Sequence, residues 1–299
     1  MSKKTSVLVT GANGLLGREV CNLLIQTGHQ VFGIVHSLPK IPLEEMNYIP
    51  IDLETNWSLE ILPEKVEVII HLAQSAHFRD FPAKALSVFQ VNIASTAKLL
   101  DYGVKVGLKS FIYASSGGVY GNGEHAFHEN SAIVPPGQLG YYLGSKLSGE
   151  VLSQSYSSVF QVSVLRYFFI YGPNQKKGML IPRLMDSIVS QKPILLQGEK
   201  GIRINPIHVE DAAAATVASF AKHKSATYNI SGQDTLSIKE IADRMGEFLG
   251  IQPVYQFVEG EARDLIGDNS AMKKDLHFPE KRLFDNLKQI KDLVENQDN

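Results

Sequence analysis

Through the first half of the chain, short apolar, β-branched runs alternate with longer stretches whose apolar positions recur every three or four residues. Residues 6–10 read as a strand. Residues 14–27 read as a helix with Leu15, Leu16, Val20, Leu23 and Leu24 on one face, and 30–35 as the next strand after a Gly28-His29 turn. Strands are further expected at 47–51, 66–72 and 110–114, with a helix over about 83–102 before the last of these. Pro135-Pro136-Gly137 interrupts the pattern, and a helix over 141–156 and a strand over 161–165 follow. Strands separated by helical crossovers predict a parallel sheet with helices on its faces. Beyond Arg166 the alternation loosens among Pro173, Pro182, Pro193 and Pro206; helices are expected at 182–190 and 211–221 and a strand at 226–230. The last residues, 296–299, are expected to fray.

Composition narrows the function classes. With 299 residues, 44% hydrophobic and 20% charged, the chain matches a soluble globular protein able to bury a real core. A formal net charge of −2 without a basic tract argues against nucleic acid or an anionic membrane as partner. The single cysteine, Cys21, excludes an internal disulfide and sits among apolar helix positions as a small buried residue. The apolar runs 66–73 and 162–171 fall short of the ~20 residues that span a bilayer. The run 7–9 is too short for an export signal, so a cytoplasmic location is expected.

Gly11, Gly14 and Gly17 stand where the first strand meets the first helix. There the missing Cβ atoms allow a tight turn and a close approach to a pyrophosphate, with helix N–H groups pointing at it. Asn13, Leu15 and Leu16 complete this candidate cofactor turn. The ribose-reading acid expected some twenty residues on is replaced by His36-Ser37. Its absence leans the cofactor toward NADP, with His36, Ser37 and Arg18 as phosphate partners; NAD bound without the acid is the alternative.

Tyr142 and Lys146 lie four apart on a predicted helix and so share a face. An ammonium beside a phenol, together with an oxidised nicotinamide, favours the phenolate and fits the tyrosine for general acid and base work. Ser116, in Ala114-Ser115-Ser116-Gly117-Gly118 at a strand's end, is placed to hydrogen-bond the reacting oxygen.

These motifs, with Ile70-His71-Leu72-Ala73, Val91-Asn92-Ile93-Ala94-Ser95-Thr96, Leu165-Arg166-Tyr167, Tyr171-Gly172-Pro173, Ile207-His208-Val209-Glu210-Asp211 and Tyr228-Asn229-Ile230-Ser231-Gly232, occur in an order and spacing that resembles the extended short-chain dehydrogenase/reductases, in particular the NAD-dependent epimerase/dehydratase group. The resemblance implies a catalytic Ser116, Tyr142 and Lys146. It also implies Asp52 and Leu53 at the adenine, Leu72, Ala73 and Gln74 at the pyrophosphate and ribose, Asn92 supporting the site, and Tyr167 in the cofactor set. Substrate contacts would fall on Ser75, Gly117, Gly118, Phe169, Arg203 and Arg263. A homodimer is implied through the helix carrying Tyr142 and its predecessor.

The chain also departs from the pattern. Sugar 4,6-dehydratases of the group carry Asp-Glu after the catalytic hydroxyl, and this chain has Gly117-Gly118. An expected Asn is Phe169, and the diphosphate-binding arginine is out of register, with Arg203 and Arg263 only nearby. His71 and His208 read as structural, and His125 and His128 as loop residues, so no metal site is expected.

The fold class read from all this is α/β. A doubly wound parallel Rossmann sheet is expected over 1–165, followed by a smaller, mostly helical substrate lobe over 166–299 with a segment near 226–232 returning to the sheet. The expected function is an NAD(P)-dependent epimerase or ketoreductase acting by hydride transfer at a carbon of a nucleotide sugar, not a 4,6-dehydratase. The alternatives are an NADP-dependent reductase of a non-sugar carbonyl compound and a non-catalytic NAD(P) sensor.

Overall fold

A computed structural model describes residues 4–222 and 224–296; the end expected to fray lies, from 297 on, outside the described residues. The chain divides into two units. The first comprises Met1–Val119, Ala132–Arg166 and Ala213–Tyr228, and the second Tyr120–Ser131, Tyr167–Ala212 and Asn229–Asn299.

The first unit is built on strands β1 (Ser6–Thr10), β2 (Gln30–Val35), β3 (Met46–Pro50), β4 (Val68–His71), β5 (Ser110–Ser116) and β6 (Gln161–Tyr167). With β7 (Ala226–Ile230) they form a seven-stranded sheet in the order β7-β6-β5-β4-β1-β2-β3. The pairings of β1 with β2 and β4, of β2 with β3, and of β4 with β5 are all parallel. Strands covered on both faces need apolar side chains at every position, and accordingly Val7, Leu8, Val9, Ile69 and Ile70 have no exposed surface. The winding reverses at β1, with β2 on one side and β4 on the other. That switch point is where open α/β sheets leave a crevice at the strand ends.

Helix α1 (Leu15–Gln26) buries Leu16, Val20, Cys21 and Leu24. Burial also pushes the Cys21 thiol up to about 12, consistent with its reading as an inert apolar residue. The single helix expected over 83–102 is instead three consecutive pieces: α2 (Ala85–Phe89), a π-helical stretch over Gln90–Ala94, and α3 (Ser95–Val106), which ends at Gly107 with φ 67°. Helix α4 (Pro136–Gln154) starts with Pro136 in its first turn and is interrupted at Gly140, whose φ of 68° and ψ of 171° are not helical. The regular segment therefore begins just before Tyr142.

The second unit carries helices α5 (Leu180–Val189), α7 (Ile238–Leu249), α8 (Ser270–Asp275) and α9 (Leu287–Asn296), with α6 (Val209–Ser219) running across the division. Helix α7 opens on a capping box between Ser237 and Glu240. Its core joins Tyr171, Met185, Ile204, Ile241, Met245 and Ile290. Two-residue and four-residue strands invisible in the sequence pattern also occur here, among them Ile194–Gln197 paired in parallel with Tyr255–Val258. Among the described residues no helix is long and apolar enough to cross a membrane, and no cluster of three or more His, Cys, Asp or Glu side chains could hold a metal ion.

Candidate active site

The glycine turn follows directly from β1. Gly11 has φ 66°, and its carbonyl accepts the N–H of Gly14 at 2.8 Å. A Cβ on Gly17 would lie 2.1 Å from the Gly11 oxygen, so helix and strand approach this closely only without a side chain there. The N-terminus of α1 has no capping side chain and no acid in its first turn, which leaves its N–H groups and dipole available to an anion. This donor set fits a dinucleotide pyrophosphate. Leu16 is buried in α1's inner face, so it can offer a cofactor only its backbone.

At the end of β2, the Asn13 amide donates to the Ser37 carbonyl at 2.8 Å, and Arg18 donates to the Ile41 carbonyl at 3.0 Å. His36 is exposed, with its Nε2 3.9 Å from a carboxylate oxygen of Asp52. The other oxygen of Asp52 accepts the Glu54 N–H at 2.9 Å. Leu53 and Ala73 are both buried in the same core, while Leu72 is half-buried.

Ser116, Tyr142 and Lys146 come together. The Tyr142 hydroxyl donates to Gln74 Oε1 at 2.8 Å, its ring meets Phe78 at 5.1 Å between centroids, and a hydrogen bond with Ser116 favours its ionised form. Ser116 Oγ also accepts the Gly118 N–H at 3.1 Å. Lys146 is buried, donates to the Ala114 carbonyl at 3.0 Å and lies 5.7 Å from the centre of the Tyr113 ring. Close packing fixes this placement, because a Cβ on Gly149 would fall 2.0 Å from the Tyr113 hydroxyl, so α4 rests directly on β5.

Burial governs the electrostatics of the protein's own groups here. It outweighs the Ser116 hydrogen bond and pushes Tyr142 up to about 12. Burial brings Lys146 down to about 8, with Glu150 acting in the opposite direction.

Several expected site residues serve the scaffold. Asn92, in the π-helical stretch, accepts the Ser75 N–H at 3.0 Å and donates to Ser145 Oγ at 2.9 Å, so its amide is used within the protein. Ser75 is itself buried, its hydroxyl taken up by Ser87 and the His77 N–H, which removes it from direct substrate contact. His71 bridges Thr10 at 2.6 Å and Thr96 at 2.9 Å, and burial lowers it to about 3.

Tyr167 and Phe169 fall in the second unit, Phe169 with φ 45°. Arg203 there is tied to Asp264 through its backbone N–H and guanidinium, with contacts of 2.6–2.7 Å, and Arg263 is exposed with Nε 3.8 Å from Glu261. His128 lies 3.7 Å from Asp268.

Sequence reasoning passed over a buried set next to the site. Glu150 accepts two bonds from Arg166, at 3.0 and 2.6 Å, and one from the Ser115 hydroxyl. The signal was present: an acid one turn beyond Lys146 on a helix face that enters the core must find a partner.

Beyond this geometry, the model of the NAD-dependent epimerase/dehydratase family matches residues 7–231. The chain belongs to this family. It is therefore an NAD(P)-dependent enzyme of the extended short-chain dehydrogenase/reductase type. The chain is 27% identical to a UDP-glucuronate 4-epimerase of Thermodesulfobacterium geofontis, covering 94% of this chain and 93% of that protein. It is also 27% identical to a dTDP-glucose 4,6-dehydratase of Streptomyces griseus, over 92% of this chain and 89% of that one. Among solved structures, the UDP-glucuronic acid 4-epimerase of Bacillus cereus in complex with NAD superposes with a TM-score of 0.86 at 26% identity, covering 98% of this chain and 99% of that one. Family membership thus spans epimerases and dehydratases, and the choice between them rests on the residues around Tyr142.

Proposed function

We propose that the enzyme acts on a nucleotide sugar, by hydride transfer at a sugar carbon, as a 4-epimerase or 4-ketoreductase and not as a 4,6-dehydratase. The observation that carries this reading is the Tyr142 hydroxyl on α4, bonded to Gln74 and to Ser116 beside buried Lys146, where the segment after Ser116 continues as Gly117-Gly118. Bound NAD(P) supplies the hydride acceptor and donor. Tyr142 takes or returns the proton of the reacting hydroxyl at its Oη, Ser116 hydrogen-bonds that oxygen, and Lys146 holds positive charge nearby. Water elimination needs a further acid and base beside the hydroxyl. Positions 117 and 118 have no side chains, and a Cβ at 118 would already sit 2.9 Å from Leu143 and 3.3 Å from Ser116 Oγ. The similarity to UDP-glucuronate 4-epimerases supports a uridine-linked sugar.

For the cofactor, the missing acid at the end of β2 left room for NADP. Asp52 beside His36 puts a negative charge next to the group that would have to receive a 2′-phosphate, and Arg18 is engaged by the Ile41 carbonyl. With NAD present in a solved relative, this favours NAD. A homodimer is supported by exposed Leu86 and Phe89 on α2 and Val151 on α4, two helices that pack together.

The test is a panel of UDP-, dTDP-, GDP- and CDP-sugars followed by proton NMR. A 4-epimerase gives an equilibrium mixture without net cofactor turnover, and a reductase consumes NAD(P)H in step with a keto-sugar. A 4-keto-6-deoxy product, or no conversion of any nucleotide sugar while a simple carbonyl compound is reduced, overturns the proposal. Competitive titration settles the cofactor, since tighter NADP binding would reverse the preference for NAD.

A further inference from the structure

The buried ion pair behind the site has no part in the chemistry described so far. Glu150 sits one helical turn beyond Lys146 and is 1% exposed; Arg166 on β6 is 6% exposed and Ser115 on β5 is 5% exposed. Arg166 grips the carboxylate through Nε and one terminal nitrogen, and the Ser115 hydroxyl donates to the same oxygen as Nε. A carboxylate so enclosed stays ionised only while a nearby positive charge compensates it, and of these groups the Lys146 ammonium is the one left to do so once Arg166 is removed. Ser115 is the residue before Ser116, and the carbonyl that receives Lys146 belongs to Ala114, so one short segment of β5 touches both the carboxylate and the ammonium.

We propose that Glu150, held by Arg166 and Ser115 one helical turn beyond Lys146, is a positioning residue that keeps Lys146 charged and seated against the Ala114 carbonyl. The inference rests on the role given to Lys146 above. Other titratable groups facing Lys146 are Tyr142 on its own helix, Tyr113 on β5 and His71 on β4. The two tyrosines are pushed up and His71 is pushed down by burial, so all three are uncharged near neutral pH. Glu150 is then the one group among these that can supply Lys146 with negative charge. Arg166 competes for that charge: it makes the buried carboxylate tolerable and at the same time weakens its pull on Lys146. This division predicts opposite signs for the two partners. Removing the acid lowers the proton affinity of Lys146, and removing the guanidinium raises it.

The experiment is an NMR titration of the full chain labelled with ε-13C lysine, with the Lys146 resonance assigned by its loss in K146M, so that no turnover is required. The wild-type signal is expected to titrate near 8. E150Q moves the midpoint down by roughly one pH unit, about tenfold in proton affinity, and R166Q moves it up by about half a unit. R166K restores the midpoint to about the wild-type value. A merely structural pair would shift neither midpoint, or both in one direction through general loosening, and either result overturns the proposal. If E150Q does not fold, as judged by circular dichroism, the sign of the R166Q shift decides. Because the readout is a resonance, failure of the nucleotide-sugar reading would leave these shifts in place.

Discussion

Replacing Lys146 by methionine should make the enzyme more stable while silencing it. Burial lowers the Lys146 ammonium from its usual 10.5 to about 8. The folded chain therefore binds that proton less tightly than the unfolded chain. A folded value below the unfolded one gives full stability above 10.5, loses it as pH falls through 8, and leaves the whole penalty in force at pH 7. The gap corresponds to about 3 kcal/mol. Methionine matches the stem and carries no charge, but it forfeits the bond to the Ala114 carbonyl, which contributes about 1 kcal/mol. K146M should then be about 2 kcal/mol more stable than the wild type at pH 7, an advantage that disappears as pH approaches 10.5. Urea titrations followed by Trp57 fluorescence measure this directly. Trp57 is the only tryptophan and is buried in the same hydrophobic core as Tyr113, so it reports on the unit that holds the site. A K146M protein less stable at pH 7, or one whose advantage persists unchanged at high pH, would show that Lys146 is not held at an electrostatic cost.

Tyr142→Phe should lower turnover by about 10²–10⁴-fold with cofactor affinity kept, as read by steady-state kinetics and calorimetric cofactor titration; retained activity would remove Tyr142 from proton transfer. In Gln74→Leu the neutral phenol loses its acceptor, so the phenolate absorbance of Tyr142, taken as the difference from a Q74L/Y142F control, should appear about one pH unit lower than in the wild type. Gly17→Ala drives a Cβ into the Gly11 carbonyl and should weaken cofactor binding at least about tenfold, measured by fluorescence of bound NADH. His71 falls from 6.5 to about 3 on folding, so its contribution is intact above 6.5 and is lost as pH drops through 3. Between pH 7 and pH 4 that amounts to about 3 kcal/mol of acid sensitivity, which His71→Gln should lack in urea titrations at those two values.

Much of the first unit was legible because its signals are local. The β1 run, the α1 apolar face and the glycine spacing each state their structure within a dozen residues, and the Tyr142–Lys146 spacing stated a shared helix face. Two kinds of information were not local. Strand Ile194–Gln197 is four residues long and is defined by a partner some sixty residues later, so no periodicity marks it. The state of the site was likewise hidden, because the proton affinities of Tyr142 and Lys146 depend on how deeply β4, β5 and α4 enclose them. A sequence reading that weighed the charges of Lys146 and an oxidised nicotinamide therefore left out the opposing pull of burial on Tyr142. Ser75 was read as a substrate contact from its place in a motif, whereas its hydrogen bonds run to Ser87, His77 and Asn92; Asn92, read as supporting the site, ties the Ser75 N–H to Ser145.

The π-helical stretch at Gln90–Ala94 makes the position of Asn92 a matter of counting as well as chemistry. Such a stretch amounts to an α-helix with one residue added. Taking a single residue out would let α2 and α3 run on as one regular rod, turning everything on one side of the deletion by about 100°. Asn92 would then swing away from Ser75 and Ser145 even though its amide were untouched. Chain length at this point is therefore a specification in its own right, and a homologue that kept the asparagine but lost the extra residue would have to tie its β4 loop to α4 by some other means.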